Sequence, residues 1–215
     1  MERSDTVRSA HPPKYLAGAI CLDFANTLSG RMDPAPIERI DSYAALVAWA
    51  AQGGLLTEPR AADLLGEARG RLKEAQTAVA RAAALRAAIH QAFAARAVGR
   101  VPDPDPITDI NAALAAAMRH RRLEVEDGRV AWGWEKTPDA LDQMLWPVAQ
   151  SAADVLTASD PVRVKECPGI GCGWLFVDRS KNGSRRWCEM EVCGNRAKAR
   201  RFKTRQNAPN RGARE

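Results

Sequence analysis

Apolar residues recur through most of this chain at three- and four-residue intervals, the period of a helix with one buried stripe. Residues 16–28 open with a mostly apolar run that includes Asp23 and Asn26, and this run is expected to pack into the core of a first domain. Asp41 or Ser42 stands where an N-cap belongs, ahead of Tyr43, Leu46, Val47 and Trp49, and Gly53-Gly54 ends that helix. Thr57 with Pro59 opens the next helical stretch. Its apolar positions, Leu64, Leu65, Leu72, Val79, Leu85, Ile89 and Phe93, carry it to about Val98, with a break near Gly66 or Gly70. The run Pro102-Asp103-Pro104-Asp105-Pro106 is expected to be a loop that breaks the helix, and residues 111–120 one more short helix.

The period then falls to two. Leu123, Val125, Val130, Trp132 and Trp134 alternate around Asp127-Gly128, a favoured hairpin turn. Trp132 and Trp134 share one face, which is expected to be core. Thr137-Pro138 reads as an N-cap followed by proline at the first helical position, starting a helix toward Thr157 that Pro147 should kink. Ser159-Asp160-Pro161 is the expected domain boundary. Val162 and Val164 lead a strand into Cys167, and Trp174-Leu175-Phe176-Val177 supplies the return strand.

The chemistry lies in this last quarter. Cys167-x4-Cys172 and Cys188-x4-Cys193 are two matched pairs, the simplest way for a chain to bring four soft ligands onto one tetrahedral ion. Pro168-Gly169-Ile170-Gly171 allows the tight turn that makes Cys167 and Cys172 face the same point. Cys193 stands at the start of a helix-compatible segment, whose dipole favours the thiolate that binds metal. Four thiolates favour one structural zinc ion with no open position for water, over an iron–sulfur cluster. Disulfides are the alternative for the same four residues. In a module of about 45 residues the metal should supply much of the folding free energy, on the order of 10 kcal/mol.

Composition adds a charge asymmetry. The chain of 215 residues is 46% hydrophobic, enough for a core, and carries a net charge of +6. Residues 163–215 hold 14 Lys+Arg against 5 Asp+Glu, whereas the remainder holds 18 against 21, so the positive charge belongs to the cysteine-bearing end. Arg179, Lys181, Arg185 and Arg186 precede the second cysteine pair or lie beside it, and Arg196, Lys198, Arg200, Arg201, Lys203 and Arg205 follow. At about 100° per residue, Arg196, Arg200 and Lys203 form one stripe and Lys198, Arg201 and Arg205 another on the opposite side. Ala199 and Phe202 lie between the stripes and are expected to pack on the metal knuckle. A metal module in such a field points to nucleic acid, with Asn195, Arg196 or Arg185 as candidates to reach base edges.

The odd count of five cysteines, the absence of an apolar h-region before Tyr15 and the lack of a bilayer-length apolar run lead to the expectation of a reducing cytoplasm and no membrane. Cys21, flanked by Ile20 and Leu22, is expected to be a core thiol. His11, His90 and His120 are scattered and no catalytic motif is present, so an enzyme is not expected. Gly169-x-Gly171-x-Gly173 interleaves with the cysteines and is therefore a knuckle, not a phosphate cradle.

Cys167 and Cys172, Trp174-Leu175-Phe176, Asp178, Arg185-Arg186-Trp187-Cys188 and Cys193-Gly194-Asn195-Arg196 with Lys198-Ala199-Arg200 resemble the CGNR zinc finger. Leu22-Asp23-Phe24-Ala25-Asn26-Thr27 and the helical region after it resemble the ABATE domain that precedes this finger in bacteria. The resemblance implies a stress-linked transcriptional regulator with zinc on Cys167, Cys172, Cys188 and Cys193. The expected fold is mainly α with a small β component. Residues 1–14 are expected to form a disordered tail, 15–160 a helical ABATE-like domain with a β-hairpin, 161–206 a treble-clef-like finger of hairpin and helix, and 207–215 a second disordered tail. The expected partner is DNA, with the first domain sensing a small-molecule effector or forming a homodimer. Asp23 and Asn26 are candidates to line a ligand pocket, or else bond nearby backbone. The same cations would also suit an RNA- or ribosome-associated protein, and a structural zinc site alone would suit a protein–protein adaptor.

Overall fold

Helix α4 (Leu72–Ala97) is the axis of the fold because small apolar residues repeat along one side of it. Ala75, Ala78, Ala82, Ala88 and Ala92 are buried together with Leu85, Ile89 and Phe93, and alanines at these positions let neighbouring helices approach closely. The computed structural model describes residues 14–135, 140–160 and 162–206. Around α4 pack α1 (Ile20–Ala25), α2 (Tyr43–Gln52), α3 (Glu58–Gly70) and α5 (Pro104–Met118), and α6 (Trp146–Thr157) lies against α1 and α5. The fold is mainly α with a small β component, as the periodicity predicts.

Local signals set most helix ends. Ser42 caps α2 by accepting from the Ala45 N–H at 3.2 Å, and the Thr57 hydroxyl caps α3 by accepting from Arg60 N–H at 3.4 Å. The expected break falls at Gly70 and Arg71, where the chain leaves helical geometry for one residue before α4 begins.

Two proline readings are corrected. The proline-rich run is not a loop: α5 starts at Pro104, with Pro104 and Pro106 in its first turn, so this helix begins seven residues before the expected Asn111. Pro147 likewise sits in the first turn of α6 and kinks nothing, because a proline there lacks only an N–H that has no helical partner anyway. A short 3-10 turn, Gln143–Leu145, leads into α6. The Thr137-Pro138 start, the two terminal tails apart from Lys14, Pro161 and His11 lie outside the described residues.

Three two-stranded antiparallel ladders complete the described structure. Strand β1 (Leu28–Ser29) pairs with β2 (Ile37–Glu38), which Arg86 of α4 holds in place. Its guanidinium donates to Glu38 Oε1 at 2.6 Å, to Glu38 Oε2 and to Thr27 Oγ1 at 3.1 Å. Strands β3 (Arg121–Glu126) and β4 (Arg129–Trp134) form the predicted hairpin, in register from Arg121↔Trp134 to Glu126↔Arg129. Its turn is Asp127-Gly128, both at positive φ. The expectation that Trp132 is core is overturned: it is 64% exposed, whereas Trp134 is half-buried against Trp146, ring centroids 5.9 Å apart.

Strands β5 (Val164–Glu166) and β6 (Leu175–Val177) form the third ladder and pack on α4, with β6 also on α1. Val164, Leu175, Phe176 and Val177 are buried in one continuous apolar cluster with Leu22, Phe24, Ile89 and Phe93. The finger's hairpin is thus part of the helical body's own core.

Candidate metal centre and basic helix

Cys167 follows β5 directly, and its N–H donates to Trp174 O at 2.8 Å across the loop. The chain then turns through Gly169, whose carbonyl accepts from Cys172 N–H at 2.9 Å. A side chain at Gly169 would place its Cβ 3.0 Å from Cys193 Sγ, and Gly171 adopts φ +73°, so both glycines are required for the knuckle to close. In the second pair, Cys188 stands just before a wide turn, Met190–Gly194, that carries Cys193, and Glu189 O accepts from the N–H groups of Cys193 and Gly194.

These two hooks place all four Sγ atoms within 4.8 Å of one another. Cys188 Sγ lies 3.7 Å from both Cys172 Sγ and Cys193 Sγ. A zinc ion with sulfurs about 2.3 Å away has S···S edges of about 3.8 Å, whereas a disulfide requires about 2 Å. The four cysteines are free of disulfides and fit a tetrahedral metal. Three of them are buried and Cys172 is half-buried. The close approach of Cys172, then of Cys188 and Cys193, holds Cys167 well below the usual thiol range. Cys167, Cys172, Cys188 and Cys193 form a single zinc site, and four protein ligands make it structural. Cys21, fully buried and pushed up to about 12 by burial, is the inert core thiol expected.

Behind the metal, Lys165 donates to Asp178 Oδ2 at 2.6 Å, to Gly183 O and to Arg185 O at 3.0 Å, tying the loop 179–185 to the hairpin. This ion pair and hydrogen bonds from Ser180 keep the Asp178 carboxyl well below its ordinary range. Arg185 stacks 4.4 Å over Phe176 and donates to the carbonyls of Val177, Trp187, Cys188 and Leu16, so its guanidinium is engaged inside the protein. Arg179 donates to Gly18 O at 2.8 Å. Both arginines therefore clamp the finger to the segment 16–18, while Ala17 O accepts from Val177 N–H at 2.7 Å.

Asn26 completes the joint. Its amide donates to Leu175 O and its carbonyl accepts from Leu175 N–H, both at 2.9 Å and both buried. Asp23, also buried, accepts from Ala17 N–H at 2.8 Å, and burial pushes its carboxyl up to about 6. His90 of α4, held down at about 4 by burial and by Arg31, is neutral at pH 7 and donates to Gly173 O at 3.3 Å. The sequence marks Asn26 as a polar residue in an apolar run, but nothing in it indicates a partner 149 residues away. Replacing Asn26 by Ala leaves a buried N–H and a buried C=O of Leu175 unpaired. Urea titration is expected to show a loss of about 2–4 kcal/mol, with faster amide exchange along β6.

Beyond Gly194 the chain becomes α7 (Asn195–Gln206), which carries six cations and no acidic residue. Ala197 is its one buried residue, and residues 198–206 are exposed throughout. Arg196, Lys198, Arg200, Arg201, Lys203 and Arg205 have no ion pair or side-chain hydrogen bond among the described residues. The expectation that Ala199 and Phe202 pack on the knuckle is overturned, since Ala199 is exposed and Phe202 is 63% exposed. At about 100° per residue, Ala197 lies on the opposite side from Asn195, Ala199, Phe202 and Gln206, and it is the Ala197 side of the helix that is covered. Of the remaining candidates, Lys181 is exposed and Arg186 stacks 5.1 Å over Trp187.

Comparison with known families agrees with this architecture. Residues 18–159 match the ABATE family, described as "Putative stress-induced transcription regulator", and residues 163–206 match the CGNR zinc finger. With more than half of its length matched, the chain belongs to the ABATE family, and it carries the CGNR finger after that domain. Comparison with curated proteins finds no match. Among the described residues no helix is long and apolar enough to cross a membrane.

Proposed function

We propose that this member of the ABATE family is a DNA-binding transcriptional regulator whose zinc-stabilised finger lays α7 in the major groove of duplex DNA. One observation carries the reading: α7 stands clear of the body with two opposed stripes of unpaired cations and an uncovered face between them. A helix about 10–12 Å across fits a major groove about 12 Å wide. Arg196, Arg200 and Lys203 then meet the phosphates of one wall, and Lys198, Arg201 and Arg205 those of the other. Asn195, Ala199 and Phe202 point to the groove floor, where an asparagine suits adenine and apolar groups suit the thymine methyl. The deep, narrow major groove of an RNA duplex does not admit a helix, which favours DNA. The helical body is the regulatory part, through a small-molecule effector or a second copy of the chain.

Selection from random pools with the full zinc-loaded chain tests the reading. Enrichment of a short duplex DNA motif supports it. Enrichment of single-stranded RNA replaces it with an RNA-binding role, and binding to neither pool leaves the finger a structural adaptor.

A further inference from the structure

The β3–β4 hairpin carries an apolar face that the body leaves bare. Its register puts Leu123, Val125, Val130 and Trp132 on one side, and these are 64%, 76%, 68% and 64% exposed. At the base of the same side the Arg121 guanidinium lies 4.4 Å from the Trp134 ring centre and 5.4 Å from that of Trp132. The other side bears Arg122, Glu124 and Arg129. The hairpin meets the helical body at its base, where Trp134 approaches Trp146. A two-stranded ribbon is only marginally stable in water, and one with a bare apolar face more so. Arginine sandwiched with tryptophan is also the composition of an interface anchor.

We infer that two copies of this chain dimerise by packing these hairpin faces together, antiparallel, across a two-fold axis. At the observed exposures the four side chains offer roughly 500 Å², at the upper end for a patch on a typical monomer. A self-complementary pairing buries roughly 1,000 Å² in total, the lower limit for a specific interface. The ends also match in charge. Arg121 marks the base and Asp127 the exposed tip, so antiparallel packing sets each Arg121 beside Asp127 of the partner subunit, while parallel packing would oppose like charges. If α7 binds DNA, the two-fold axis presents two such helices to an inverted repeat.

Sedimentation of the full zinc-loaded chain over a concentration series tests the inference. Wild type sediments as a dimer, and Trp132→Glu weakens self-association by about thirtyfold or more, the scale of an interface hot spot. Arg121→Glu and Asp127→Lys each weaken the dimer by about tenfold, and the double reversal recovers it. Circular dichroism and zinc content, unchanged in all variants, show that the fold survives. A wild type that is monomeric at every concentration overturns the inference, including one whose hairpin amides are protected because another segment covers them. So does a Trp132→Glu variant of unchanged mass, or a double reversal that fails to recover. The inference does not depend on the DNA reading: a dimer that binds no duplex leaves it standing, and a monomer that binds duplex defeats it alone.

Discussion

Replacing Cys193 by Ser is expected to drop bound zinc well below one ion per chain and to lower the melting temperature of the entire protein. Zinc binding in small structural sites is worth about 10–16 kcal/mol at neutral pH, comparable to the whole stability of an ordinary domain, about 5–15 kcal/mol. In an isolated finger such a loss would unfold the finger alone. Here Cys167, Cys188 and Cys193 belong to the same buried cluster as Phe24, Ile89 and Phe93, and β6 is hydrogen-bonded to Asn26 and Ala17. Loosening the knuckle therefore exposes apolar surface of α1 and α4. If only about 5 kcal/mol of the metal's contribution is lost, the midpoint falls by about 10–20 °C for a chain of this size. Calorimetry with elemental analysis checks this, and Cys21→Ala, outside the site, should keep one zinc per chain. A Cys193→Ser protein that melts in two steps, with the helical body unaffected, would show that the common core does not couple the two parts.

The second large effect concerns α7. If its six cations neutralise phosphates, log affinity for duplex DNA falls with log salt at a slope of roughly −5. Removing one cation from each stripe, as in Arg200→Ala with Arg201→Ala, should make that slope shallower by about 2 and weaken all sequences alike. Asn195→Ala behaves differently, costing about 1–3 kcal/mol on the selected motif while leaving the salt slope and non-specific binding unchanged. Fluorescence anisotropy at several salt concentrations separates the two. Arg185→Ala is expected to fall in neither class, because its guanidinium is taken up by carbonyls of the finger and of residue 16, and its loss should appear as instability.

The part of the site legible in the sequence is the part made of neighbours. Cys167 and Cys172, or Cys188 and Cys193, have only four residues between them, and two such matched pairs leave few ways to arrange them other than around one ion. The helix start at Thr57 and the hairpin turn at Asp127-Gly128 were equally plain, and the cap of α2 was narrowed to Asp41 or Ser42, since each depends on residues within one turn of chain. The proline misreadings come from the same local view. Proline breaks a helix interior yet suits a first turn, and only the surroundings of Pro104 and Pro147 say which applies.

By itself, then, the sequence determined the helical class, the β3–β4 ribbon, the four metal ligands and the concentration of charge at the C-terminal end, all properties of short segments. Tertiary structure alone decided which sides of those segments are covered. It buried Ala197 and left Phe202 free, bared Trp132, paired Asn26 with Leu175 and turned Arg185 inward. The reason is physical: periodicity states that a face is apolar, but whether that face is covered depends on contacts between residues distant along the chain, which form only when the whole core closes.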